Sequence, residues 1–361
     1  MKRLFFIGAV LVFTLNVNSQ NTVAKFKFED AEKAYYENKF EDCIQLLTET
    51  EALLGQTAPN ILHLGILAEH KLLEQNPMHS YALIENLRNH CNTYLQDYDI
   101  AGLEEKFREV FEVSNGLKKY PNDILEFNAI KDSIAQVKKE AYDKVVSIIE
   151  NYLNAIGGKE KLSQVRSIHK IITLKGVSYD THEKFLFPDK FALFGSRSET
   201  GNKKKGQQYV YNGNECYYEI KGEKENLTAM TCKSFQSNIN MNSFAELQFF
   251  NEGYDLQYYG ENEKGQAAIL ITYPDATKEW RYYNLKTHLL ETIIYNGGYY
   301  WNYYPIVQTI TDLSDYREVE GVILPFVYEH SIFFDNQKAR KFVRASKIVF
   351  INKNVNVEDF N

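Results

Sequence analysis

The chain has 361 residues, a net charge of -7, and 26 Tyr and 23 Phe against 2 Trp. That length suggests about two to three domains with real cores, and the aromatic content suits β-structure better than disorder. The acidic balance argues against nucleic acid, because neutralising phosphates needs a basic surface.

At the N-terminus, Lys2 and Arg3 precede the apolar run "LFFIGAVLVFTL". Val17 and Ser19 then stand at minus three and minus one to a cut before Gln20. This is the pattern of a cleaved secretory signal over residues 1–19, too short for a permanent anchor. With no cysteine after the run, a lipid-anchored mature chain is not expected. The expected product is exported and soluble, with no transmembrane segment.

Residues 22–120 read as a helical region. In "AEKAYYENKFEDCIQLLTE", Phe40, Cys43, Ile44 and Leu47 recur at helical spacing, with Asn38 breaking the chain before them. The aromatic, turn and small residue resemble a tetratricopeptide unit. "ILHLGILAEHKLLEQ" looks like the start of a second one, but Pro77 and the long segment after it depart from the repeat. The reading is a degenerate helical-hairpin array, whose faces need a neighbour. Cys43 and Cys91 fall on helical patterns and look like small core residues.

"KKYPND" breaks the pattern, and residues 121–141 are assigned as a linking helix. Its stripe of Ile130, Ile134, Val137 and Ala141 continues through Val145, Ile149, Leu153 and Ile156 to Gly157-Gly158, a helix stop. On it, "DSI" resembles a short O-glycosylation sequon at Ser133, although such a serine is more often a plain residue of the helix surface.

From about Val165 the period becomes two. Phe326, Tyr328, His330, Ile332 and Phe334 share one strand face, and "KFVRASKIVFI" alternates similarly. Asn212-Gly213 and Asn296-Gly297 read as hairpin turns. The second is expected to pair a strand ending at Tyr295 with one beginning at Tyr299, sending Tyr299, Trp301 and Tyr303 to one face. Pro305 belongs at an edge or bulge. Cys216 and Cys232 sit in one region, apparently on successive strands, where a bridge and two free thiols both fit. Lys203 to Lys205 look like a solvated hairpin tip.

No nucleophile elbow, phosphate loop, CxxC or HExxH occurs, and the 8 His are scattered. The expectation is therefore no enzyme, no cofactor and no metal. The aromatic strands carry the positive alternatives: ordinary sheet core, or the wall of an apolar groove. A groove could hold a fatty chain without any polar motif, at about 0.8 kcal/mol per buried methylene.

A family resemblance covers residues 142–361. "IIENYLNAIGGKEKLSQVRSIHKIITLKG", "FLFPDKFALF", "YVYNGNECYYEI", "EWRYYNLKTHLLETIIY", "SDYREVEGVILPFVYEH" and "IVFINKNVNVEDF" follow one another in order and spacing. Together they resemble periplasmic proteins of the Bacteroidota with a lipoprotein carrier-like (LolA/LolB-like) domain. The resemblance implies an α+β chain: a helical hairpin array, then an incomplete antiparallel β-barrel with covering helices. It implies a periplasmic location and a half-barrel that holds a lipid or lipoprotein acyl chain. The lining candidates are Tyr299, Trp301, Tyr303, Phe326, Tyr328, Ile332 and Phe334. The helical region would dock an envelope protein. The rival reading is an interaction module whose barrel is filled by its own side chains. No single arginine here matches the carriers' strand arginine.

Overall fold

The computed structural model describes residues 21–173, 180–196, 207–296, 299–300, 304–334 and 340–360. The chain divides into two compact units between Val137 and Lys138, a point inside one long helix.

The first unit is helical. Helix α1 covers 21–36, followed by α2 (Phe40–Leu54), α3 (Pro59–Gln75), α4 (Tyr81–Asp97) and α5 (Glu104–Gly116). Asn38 takes φ 60°, turning the chain where asparagine tolerates the left-handed region. The small side chains Ala31, Ala34, Cys43 and Ala68 then let α1, α2 and α3 approach around Phe40 and Leu47. Helix α3 uses its other side, Leu62, Ile66 and Leu73, to pack with Ile84, Leu87, Cys91 and Tyr94 of α4. Ser80 caps α4 by accepting from the Leu83 amide at 3.2 Å. Arg88 donates to the carbonyls of Pro121 and Tyr120 at 2.8 and 3.0 Å, fixing the turn that leads into α6 (Ile124–Ala155). Both Cys43 and Cys91 are free and buried, as their helical positions implied. Ser133 is exposed on α6.

The second unit is an open antiparallel sheet with helical cover. After α7 (Lys159–Ser163) come β1 (Ser167–Thr173), β2 (Asp180–Leu186), β3 (Lys190–Ser196), β4 (Gln208–Tyr211), β5 (Cys216–Ile220) and β6 (Glu223–Asn226). Helix α8 (Ala229–Asn242) follows, then β7 (Asp255–Glu261), β8 (Gln266–Thr272), β9 (Lys278–Asn284) and β10 (Leu290–Asn296). The last strands are β11 (Tyr299–Tyr300), β12 (Tyr304–Val319), β13 (Val322–Phe334) and β14 (Arg340–Ile351).

The spatial order is β6-β5-β4-β3-β2-β1-β14-β13-β12-β10-β9-β8-β7, with β11 off this path and paired to β12. The first and last strands thus meet in the middle, and two meanders run outward to the free edges β6 and β7. The sheet does not close into a barrel. Its edge β6, "EKEN", is exposed throughout, and such charge discourages pairing with another chain.

One face of the sheet, the inner one, carries the core. Val145, Ile149 and Leu153 of α6, Ile156 just after it and Ile239 of α8 pack against Ile168, Phe185, Phe191, Ile269, Ile293 and Phe326. Gly157 permits the docking: a Cβ there would stand 2.9 Å from the Gly321 carbonyl oxygen, and its φ is +135°. The Ile323 amide then donates to the Ile156 carbonyl at 2.9 Å. On the outer face the C-terminal residues Val355 and Phe360 cover Ala192, Val210 and Tyr217.

Two expectations need correction. Asn212-Gly213 does turn β4 into β5, with Asn212 Oδ1 accepting from the Asn214 and Glu215 amides at 3.0 and 2.9 Å. The Asn296 segment does not make the hairpin expected of it. β10 pairs with β12, Tyr295 opposite Thr309, while Tyr299 and Tyr300 fold back on Pro305 and Tyr304. Residues 299–300 are too few for a partner strand, and the longer ladder takes the pairing. Cys232 lies on α8, not on a strand.

Candidate functional site

Helix α8 links the two outer ends of the sheet, β6 and β7, and has two working sides. Thr228 caps its start by accepting from the Thr231 amide at 3.3 Å. Cys232, Phe235 and Ile239, spaced by three and four, face the core, where Phe235 lies against Phe191 with ring centroids 5.4 Å apart. Cys232 is bridged to Cys216 of β5, with Cα atoms 5.5 Å apart. The bridge and the two apolar residues hold down a helix rich in Ser, Thr and Asn, residues of modest helix propensity.

The other side of α8 bounds a cleft of about 640 Å³, with Lys233, Ser237 and Asn240 on the helix and Tyr295 and Asn296 of β10 opposite. The third wall is the β8–β9 turn, Tyr273 to Lys278. Asp275 shapes that turn by accepting from the Thr277 amide and hydroxyl at 2.9 and 2.8 Å. Burial acts to raise the Asp275 carboxyl, but these bonds and the charge of Lys233 outweigh it and hold it below the usual carboxylate range. Ala276 closes the turn at φ 65°, a region that costs an L-residue roughly 1–2 kcal/mol.

Behind the cleft lies a buried charge network. Glu279, Arg281 and Tyr283 alternate along β9 and point inward. Arg281 Nε donates to Glu279 Oε1 at 2.5 Å, and its Nη1 pairs with Glu246 Oε1. Tyr283 donates to Glu246 at 2.9 Å and Tyr273 to Glu279 Oε1 at 3.3 Å. The guanidinium also lies 5.1 Å from the centre of the Phe249 ring. Burial works against the Arg281 charge, yet the two carboxylates hold its pKa far above the ordinary value. Burial first, and the Glu246 and Glu279 charges next, push the phenols of Tyr273 and Tyr283 well up.

A second polar group sits further along the inner face. The Lys170 side chain, only 1% exposed, donates to Tyr328 Oη at 2.5 Å and to Asn242 Oδ1. Burial and then the Arg344 charge drive the Lys170 pKa well below the ordinary value. Arg344 is taken by Glu183 on the neighbouring side of the face. His330, near Lys170, donates to or accepts from Thr311 at 3.0 Å, and burial lowers it to about 4.

The sequence-derived lining residues separate into groups. Phe326 and Tyr328 belong to the closed core, and Ile332 is buried on the same face of β13. Phe334 is half-buried. Trp301, Tyr303 and the Lys203–Lys205 tip lie outside the described residues, as does the side chain of Tyr299. The sequence reading missed Glu279, Arg281, Glu246 and Lys170. For Glu279 and Arg281 the signal was present in the alternation of β9, but charged positions on an alternating strand are ordinarily assigned to solvent.

The helical unit carries its own shallow groove of about 360 Å³ between α2, α3 and α4. At its base the buried Glu69 pairs with His90 at 2.9 Å. That contact, more than burial opposes it, raises the His90 pKa. Among the described residues no helix is long and apolar enough to cross a membrane, and no group of three or more metal-ligating side chains gathers.

No family model matches this chain, and no curated protein matches it in sequence.

Proposed function

We propose that this chain is a non-catalytic, exported envelope protein that binds an amphiphile, a lipid or lipoprotein acyl group, beside the covered face of its half-barrel-like sheet. The observation that carries the reading is the cleft of about 640 Å³ between α8 and the β8–β10 strands. Its size falls within the range of about 300–1,000 Å³ typical of small-molecule sites. Its walls mix Tyr273, Pro274 and Tyr295 with polar groups, and β10 leads from it into the aromatic segment "YNGGYYWNYYP". Rings next to polar groups suit a ligand with one greasy and one wet end. The helical unit, with its own groove, is the surface for an envelope partner.

The alternative is a structural interaction module without a ligand. It is favoured by one observation: Phe326 and Tyr328 are buried in the core that α6 packs into.

Lipid extraction and mass spectrometry of natively purified protein separate the two. The binding reading expects one class of amphiphile, near one per chain. A protein free of extractable amphiphile, and unable to take one up when offered it, would leave the interaction module. Export carries a separate expectation. Intact-mass measurement of the mature protein should show a chain beginning at Gln20, and retention of Met1 would contradict it.

A further inference from the structure

Like Tyr273, Glu279 belongs to both the buried network and the cleft wall. Its side chain is 5% exposed, yet it lines the cleft. Both bonds from the network, those of Arg281 Nε and the Tyr273 hydroxyl, reach Oε1. Oε2 accepts no hydrogen bond among the described residues. With Oε1 already taking two bonds, Oε2 is left open to a donor from the cleft.

The charge count points the same way. Arg281 is one cation held by two carboxylates, Glu246 and Glu279, so the trio carries a net charge of one negative at the cleft floor. The lysines of the cleft do not cancel it, because Lys233 and Lys278 are exposed residues at the rim. Lys233 acts on Asp275 of the turn. The floor therefore carries one uncancelled negative charge.

We propose that the cleft takes a ligand whose buried end is a protonated amine, seated on Glu279 Oε2. This rests on the amphiphile-binding reading and names its head group. An ammonium supplies both a donor and the cancelling charge, whereas a hydroxyl supplies only the donor. A carboxylate or phosphate would add to the negative floor and is disfavoured there.

Three probes of equal chain length test this on the full mature chain by calorimetric titration: decylammonium, decanol and decanoate. Decylammonium should bind about tenfold or more tighter than decanol, the advantage of a charge-assisted hydrogen bond, with decanoate weakest. Glu279→Gln keeps an oxygen for Arg281 but removes the charge. It should erase the preference for decylammonium over decanol. Equal affinity for all three heads in the wild type, or a preference that survives in Glu279→Gln, would overturn the inference while leaving amphiphile binding intact. No binding of any probe by the wild type would overturn both. The head-group comparison in the wild type decides the matter even if the variant fails to fold.

Discussion

Replacing Arg281 with Met is expected to destabilise the sheet unit by about 3–5 kcal/mol, the usual cost of removing one partner from a buried ion pair. The methionine fills most of the volume, so the loss reflects charge rather than a cavity. Glu246 and Glu279, both nearly inaccessible, are left without a counter-charge, and Tyr273 and Tyr283 cannot supply one. Lys353→Met is the matching control. Its partner Glu320 and Lys353 itself are well exposed, and surface pairs contribute about 0–1 kcal/mol. Urea denaturation followed by tryptophan fluorescence reads both. A loss at Arg281 no larger than at Lys353 would remove the network from the account of stability.

Lys170→Met should act in the opposite direction, raising stability by about 1–4 kcal/mol at a pH where the buried amine is charged, as exchanging buried charge for apolar volume often does. Lys170 donates only to neutral oxygens, and the Tyr328 hydroxyl can still donate to Asn242 Oδ1, 3.2 Å away, once the amine is gone. The pH dependence has a definite sign. The folded-state pKa of Lys170 is depressed below its ordinary 10.5, so the unfolded chain binds the extra proton between the two values. Wild-type stability therefore rises with pH through that window. The advantage of the methionine variant is largest below the folded pKa and shrinks as pH approaches 10.5. A variant less stable than wild type at every pH would show that the amine's hydrogen bonds outweigh its burial.

Much of the fold was legible because periodicity and turn chemistry are local. Phe40, Cys43 and Leu47 repeat at helical spacing and form the core of the first hairpin. Gly157-Gly158 stops α6 where the docking to Gly321 requires a residue without a side chain. What escaped depends on distant partners. Asn296-Gly297 carries a hairpin signature, but the partner of Tyr295 is Thr309, because β12 offers a far longer ladder than Tyr299 and Tyr300. Helix α8 is poor in strong helix formers and is held by Cys216 and by Phe191, both remote in sequence. In "KEWRYYN" the alternation is plain, yet its natural assignment puts Trp280 and Tyr282 inside. The structure buries Glu279, Arg281 and Tyr283 instead, because Glu246 arrives from a separate segment to satisfy the guanidinium.

Ligand binding in the α8 cleft is tested most directly by filling it. Ser237 faces the cleft from the middle of α8, outside the core positions Phe235 and Ile239, so Ser237→Trp adds bulk without disturbing the packing. Titration of a fluorescent alkyl probe into wild-type protein should give saturable, one-to-one binding. The variant should bind it about tenfold more weakly or worse, with the melting temperature unchanged. Equal binding by both proteins, or none by the wild type, would contradict a ligand site in this cleft.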